Sequence, residues 1–228
     1  VTVPVLAGTG SSDTARSVEM TSRASLTGVA GILATTPAYV RPSQRGIADH
    51  LAAMANATDL PVMLYDIPSR TGRKIAPETT LELARTIPNV VALKDASGDL
   101  VSAAHVRAEL GTQFDLYSGD DALTLAFLGI GAVGVVSVAG HWAAPEFRSL
   151  IDAFSRGDLE AAIALNETLA ASCRFEGNET YPNPQPSKAA LRHLGYAVGQ
   201  CRAPLGESDA HLDALAADVL SALQKRRR

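Results

Sequence analysis

Lys94 closes an almost wholly apolar run, Val90-Val91-Ala92-Leu93, and Asp95-Ala96-Ser97-Gly98-Asp99 follows at once. A run of that length and β-branched content, bounded by Pro88-Asn89 and by Ser97-Gly98, reads as a buried strand with a loop beyond its carboxyl end. Partial desolvation disfavours the charged form of an amine, so a lysine held there becomes a nucleophile toward carbonyls, the chemistry of a Schiff base. A lysine at a strand end also serves as a snorkelling or ion-paired side chain, and Lys94 alone does not decide between the two. A second run, Pro61-Val62-Met63-Leu64, ends in Tyr65, which sets a titratable phenol at an equivalent strand end. The turn-rich segment Asp66-Ile67-Pro68-Ser69-Arg70-Thr71-Gly72 comes next, and its Arg70 is either a solvated side chain or a fork for a carboxylate. Tyr39, just past Thr35-Thr36-Pro37-Ala38, is either a packed loop anchor or a proton donor.

These residues need a scaffold that gathers strand ends. Six apolar runs have strand length, at 3–7, 31–34, 62–65, 90–93, 114–117 and 133–138, and helical segments such as 13–25, 43–57 and 77–86 lie between them. Alternation of this kind predicts a parallel sheet with right-handed crossovers. Polar residues sit at the end of nearly every run, including Thr9, Thr35, Tyr65, Lys94, Ser118 and Ser137. A (β/α)8 TIM barrel delivers all its strand ends to one mouth, whereas an open sheet concentrates chemistry at one switch point, so the spread favours the barrel. Six of the eight βα units are visible in the chain, and the other pair is expected to precede Val1. The partial barrel is expected over 1–157, units 3 to 8, and a C-terminal helical region over 158–228, with helices near 158–173, 187–193 and 208–223.

Composition narrows the partners. The chain has 228 residues, is 46% hydrophobic and carries a net charge of −4, which argues against a nucleic-acid partner; the basic end Lys225-Arg226-Arg227-Arg228 reads as a solvated tail. No apolar stretch approaches the roughly 18 residues of a membrane span. Cys173 and Cys201 are too few for a disulfide framework and point to a reducing compartment. The five histidines, His50, His105, His141, His193 and His211, lack metal-ligand spacing, so no catalytic metal is expected. Gly129-Ile130-Gly131-Ala132-Val133-Gly134 matches a dinucleotide fingerprint, but its glycines precede a strand instead of following one.

Taken with their order, these motifs resemble the Schiff-base aldolase family of dihydrodipicolinate synthase and N-acetylneuraminate lyase. The resemblance runs from Val3 to about Leu220 and rests on Ala7-Gly8-Thr9-Gly10, Thr36-Pro37-Ala38-Tyr39 with Arg41-Pro42, Leu64-Tyr65-Asp66-Ile67-Pro68-Ser69-Arg70-Thr71-Gly72, Lys94-Asp95-Ala96-Ser97-Gly98-Asp99, Ser118-Gly119-Asp120-Asp121 and Asn183-Pro184-Gln185-Pro186-Ser187-Lys188. It implies a lyase that condenses pyruvate with L-aspartate semialdehyde to give 4-hydroxy-tetrahydrodipicolinate, in lysine and diaminopimelate biosynthesis. Lys94 would form the imine, Tyr65 would shuttle protons, and Tyr39 would join the relay in a neighbouring subunit's site across a tight dimer. Arg70 would hold the semialdehyde carboxylate, while Gly119 and the backbone of Val136 would line the pocket. The resemblance further implies no cofactor beyond the covalent imine, a homotetramer built from tight dimers, and a cytoplasmic location.

The chain departs from the family in having no counterpart of a Gly-Thr-Thr-Gly-Glu loop, so roughly 70 residues of the family pattern are expected before Val1. Two other readings stay open: a keto-deoxy-sugar-acid aldolase, against which Arg70 discriminates, and a catalytically inactive oligomeric homologue. In relatives inhibited by lysine the resemblance places the effector where this chain has Ala38, Ser12 and Arg16, a set poor in partners for an amino acid, and so implies weak feedback or none.

Overall fold

A computed structural model describes residues 2–226; Val1 and the last two residues of the basic tail, Arg227 and Arg228, lie outside the described residues. Contacts group the chain into two compact units, one of residues 1–120 with 126–136 and the other of 121–125 with 137–228.

In the first unit strand and helix alternate: β1 (Leu6–Gly8), α1 (Thr14–Ser25), β2 (Gly31–Thr35), α2 (Gln44–Ala55), β3 (Val62–Asp66), a short α3 (Pro68–Thr71), α4 (Pro77–Thr86), β4 (Val90–Asp95), α5 (Leu100–Leu110), β5 (Asp115–Ser118), α6 (Thr124–Gly129), whose start falls in the other unit, and β6 (Gly134–Val135). The strands pair in chain order, β1-β2-β3-β4-β5-β6, and every pairing is parallel, as the alternation requires. Helix starts are marked by side chains that take up orphan N–H groups: Asp13 accepts from Arg16, Ser43 from Gly46 and Asp99 from Ser102. On α2, Ile47, Leu51 and Met54 are wholly buried at helical spacing and meet the sheet, whose helix-facing side includes Ile32, Val62 and Leu64. Each such aliphatic side chain contributes about 2 kcal/mol by its burial.

At the opposite edge of β3 and β4 from the loops that follow them, the Asn89 amide donates to the carbonyls of Ala55, Thr58 and Leu60 at once. One residue farther along, the β3–β4 register shifts: Val62 pairs with Val90, but Met63 pairs with Ala92, so β4 carries Val91 as an extra residue. Beyond the shift Leu64 faces Leu93, Tyr65 faces Lys94 and Asp66 faces Asp95.

Two strands are shorter than the apolar runs suggest. Val3 and Val5 are exposed and β1 begins only at Leu6, because Pro4 has no N–H for a ladder. The run at 133–138 pairs only over Gly134–Val135, with the Val136 N–H still donating to Ser118 O; the Val138 N–H turns instead to the Asp121 carboxylate, within the second unit.

The second unit is helical: α7 (Gly140–Ser155), α8 (Leu159–Phe175), α9 (Gln185–His193) and α10 (Ala210–Arg226). Pro145 lies inside α7, where it removes a donor, and Ala143 before it leaves helical geometry at φ −119°. Trp142 packs edge-on against Phe175 at 5.7 Å and donates to Ser172 Oγ, which joins α7 to α8. Among the described residues no helix is long and apolar enough to cross a membrane.

Candidate active site

Register places one residue from each central strand in a single row at the carboxyl end of the sheet: Thr35 pairs with Tyr65, Tyr65 with Lys94, Lys94 with Tyr117, and Tyr117 with Gly134. Side chains alternate along a strand, so this row faces away from the helix-facing set Ala34, Leu64, Leu93 and Leu116, all of them buried. Lys94 is 9% exposed and its Nζ lies 3.9 Å from the centroid of the Tyr65 ring. The ring's negative face stabilises the ammonium at that distance, while the phenol sits where protons on a lysine-bound group would need a carrier. Burial pushes the Tyr65 phenol up, against a smaller pull from the Arg70 guanidinium. Tyr117, on the other side of Lys94, is half-buried and its phenol is likewise raised by burial, then by Asp115.

The remaining residues expected from the sequence fall around this row in different ways. Arg70 is exposed, at the end of the single turn α3, which closes on Gly72 with φ 79°. Gly119 donates its N–H to Asp95 O at 2.6 Å, and a Cβ there would meet Ala96 Cβ at 2.8 Å and Ala96 N at 3.0 Å, so the close approach of these two loops needs glycine. Val136 sits beside β5 through its N–H to Ser118 O. Tyr39 is 92% exposed with φ 72°, and the nearby Arg41 has φ 47°, two non-glycine residues in the left-handed region on one loop. The structure thus brings Lys94 and Tyr65 together and leaves Tyr39 exposed on its loop.

A second row lies one residue further along, on the helix-facing side. Asp66 and Asp95 are register partners, each 2% exposed, flanked by Thr36 after β2 and Ser118 on β5. Asp66 Oδ1 accepts from the Ile75 N–H at 3.1 Å, and Asp95 Oδ1 accepts from the Ser97 N–H at 2.8 Å. Burial raises Asp66 to about 7, with a further push from Asp95, and burial raises Asp95 as well. Lys74 pairs with Asp99, holding that carboxyl well below the usual carboxylate range with help from Ser102. Gln44, from α2, donates to Lys74 O and accepts from Ala76 N–H and Thr79 Oγ1, so the connection that carries Arg70 is tied down at its far end.

The sequence alone assigns no role to Asp66, Asp95, Tyr117 or Gln44. The signal was present for the first two, since each directly follows a residue of the inner row and a period of two then sends it to the opposite face. Among the described residues no group of three or more His, Cys, Asp or Glu side chains is arranged to hold a metal ion.

A model of the Dihydrodipicolinate synthetase family matches residues 1–223. The 4-hydroxy-tetrahydrodipicolinate synthase of Bacillus subtilis (strain 168) is 45% identical over 205 residues, which cover 89% of this chain and 69% of that protein. The crystal structure of the enzyme from Cyanidioschyzon merolae with lysine bound is 42% identical and superposes with a TM-score of 0.93, covering 97% of this chain and 74% of that one. The crystal structure of dihydrodipicolinate synthase from Aquifex aeolicus gives 34% identity and a TM-score of 0.92, over 97% and 75% of the two chains.

Proposed function

The chain belongs to the dihydrodipicolinate synthetase family, and on that premise we propose that it is a lyase condensing pyruvate with L-aspartate semialdehyde to give 4-hydroxy-tetrahydrodipicolinate. The observation that carries this reading is the seat of Lys94: a nearly buried amine at a strand end, with its Nζ over the Tyr65 ring. The Lys94 amine adds to the ketone carbon of pyruvate and a water leaves, forming the imine. Loss of a proton from the pyruvate methyl gives an enamine, whose methylene carbon bonds to the aldehyde carbon of the second substrate. The amino group of that substrate then adds to the former ketone carbon, and the bond to Lys94 breaks, closing the ring and restoring the amine. Tyr65 carries protons to and from the imine carbon's neighbours and the departing water. Arg70 offers a two-pronged partner for the semialdehyde carboxylate, and Gly119 and Val136 bound the space around Lys94. No metal or organic cofactor enters these steps.

The exposure of Tyr39 supports its assignment to a second subunit's relay, within a homotetramer of tight dimers. We read the six strands as six of the eight in a TIM barrel, with 158–228 as its helical extension; the share of the relatives' length that the chain covers supports this. A cytoplasmic location accords with the pathway.

Borohydride reduction in the presence of pyruvate tests the reading. A stable adduct on the peptide containing Lys94, absent from Lys94→Ala, is expected; no adduct in the unsubstituted protein would leave an inactive homologue as the better description.

A further inference from the structure

Tyr39 is 92% exposed, so its own chain offers its ring little to rest on, and the backbone has to set its direction. That backbone is strained. Tyr39 at φ 72° and Arg41 at φ 47° both stand in the left-handed region, which disfavours side chains and persists only where the surroundings hold it. Two ties flank Tyr39. On one side Ser12 Oγ donates to the Ala38 carbonyl at 2.8 Å. On the other the stem of Arg41 lies across Gly72: a Cβ there would stand 3.2 Å from Arg41 Cγ, 3.3 Å from Cδ and 3.7 Å from Nε. The Arg73 guanidinium adds a long bond to the Arg41 carbonyl, at 3.4 Å.

Gly72 is a firm seat for that stem. Its N–H donates to Pro68 O at 2.8 Å, and the N–H and Oγ1 of the buried Thr71 both donate to Ile67 O. Gln44 binds the segment beyond, through Lys74 and Ala76. Any side chain at Gly72 would be disfavoured at φ 79° and would crowd the stem. A strained loop is thus laid against a connection that several bonds hold in place. We propose that Arg41 is a positioning residue: its stem, seated on Gly72, keeps the loop after β2 in the turn that aims Tyr39 at the neighbouring subunit's site. The inference rests on the functional reading above, in which Tyr39 serves the relay of a second subunit. Arg41 itself touches no reacting atom. It acts through Tyr39, on the site across the interface and not on the one built around Lys94 of its own chain. The atoms over Gly72 are chiefly methylenes, so the stem matters here more than the charged head.

Kinetics and hybrid assemblies test this. Arg41→Ala should lower kcat by between about tenfold and a hundredfold, the range for a misplaced proton carrier. Arg41→Lys keeps the methylenes over Gly72 and should stay within about threefold of the wild type. In a Tyr39→Phe background no hydroxyl is left to aim, so adding Arg41→Ala should cost less than about twofold, whereas a merely structural defect would cost the same factor in both backgrounds. An Arg41→Ala subunit is then paired with a Lys94→Ala subunit bearing a different tag. The hybrid dimer holds one site whose intact Lys94 is served by an intact Tyr39 loop from its partner, and its kcat per intact lysine should return to the wild-type value. Continued impairment in the hybrid, or full additivity with Tyr39→Phe, overturns the proposal. If Arg41→Ala does not fold, Arg41→Gly, which suits the left-handed turn and also removes the stem, decides instead. The functional reading fails separately. No borohydride adduct with pyruvate, or an unaltered kcat in Tyr39→Phe, overturns it and this inference with it, whereas a slowed Tyr39→Phe beside an Arg41→Ala of wild-type rate overturns the positioning role alone.

Discussion

Lys94 on β4 is the register partner of Tyr117 on β5 as well as of Tyr65 on β3, so the amine stands between two phenols on neighbouring strands. They are not equivalent, because the Lys94 Nζ lies over the Tyr65 ring. Removal of the Tyr65 hydroxyl is therefore expected to lower kcat by about a hundredfold or more, the range for loss of a proton carrier. Tyr117→Phe should lower it by less than about tenfold, since the ring still fills its place. Comparison of kcat for the two phenylalanine variants checks this, and similar losses would assign Tyr117 an equal part.

Gly119 predicts an effect on stability. A Cβ at this position would lie inside contact distance of Ala96 Cβ and of the Ala96 backbone nitrogen, and backbone does not give way as a flexible side chain does. Gly119→Ala should cost about 1–3 kcal/mol. Denaturant titration should show a lower midpoint at an unchanged slope, and an unaltered midpoint would mean that the two loops are free to separate.

Stability should also depend on pH through Asp66. Its folded value of about 7 stands above the ordinary 3.8, so the folded state holds the proton more tightly than the unfolded chain. The stabilisation linked to this group is complete below about pH 4 and is lost as pH rises through about 7; Asp95, raised in the same direction, adds to the trend. The wild type should melt at a higher temperature at pH 5 than at pH 8. Asp66→Asn removes the group's own titration, so its melting temperature should change less between the two. A slope of equal size in the variant would assign the effect to other groups.

Feedback by lysine should be weak. Ser12 Oγ is already committed to the Ala38 carbonyl at 2.8 Å, Ala38 brings no ring or hydroxyl, and Arg16 repels an ammonium group. Titration of lysine at subsaturating pyruvate is expected to give half-inhibition above about a millimolar.

Much of this site was legible in the residues. A lysine and a tyrosine closing apolar runs marked the carboxyl ends of β4 and β3, and the polar ends of the other runs pointed to one shared mouth. What was not legible depended on pairing between strands. Whether Lys94 and Tyr65 share a face is a matter of register, which neither strand states alone, and the buried Asp66 and Asp95 read as ordinary loop carboxylates until the alternation of faces is known. Gln44 lies far along the chain from the connection it binds, so no local pattern announces it. The shortened β1 follows from a proline that lacks an N–H and the two-residue β6 from an N–H taken by Asp121, neither of which apolar runs record.

The extra residue at Val91 makes the site a question of odd and even. If Val91 took a place in the ladder and the shift were absent, continuing the Val62–Val90 pairing would set Leu93 opposite Tyr65 and turn Lys94 toward the helices, in line with Asp66. The amine would then be walled off from the cavity by its own strand, with every side chain intact. A single-codon deletion of Val91 would remove the bulge and leave Met63 opposite Ala92 and Tyr65 opposite Lys94, so the strand would absorb the loss and keep the amine in phase. Point substitutions of Val91 would leave the phase untouched too, whereas one more residue inserted between Ala92 and Lys94 would act as a frameshift written in three dimensions.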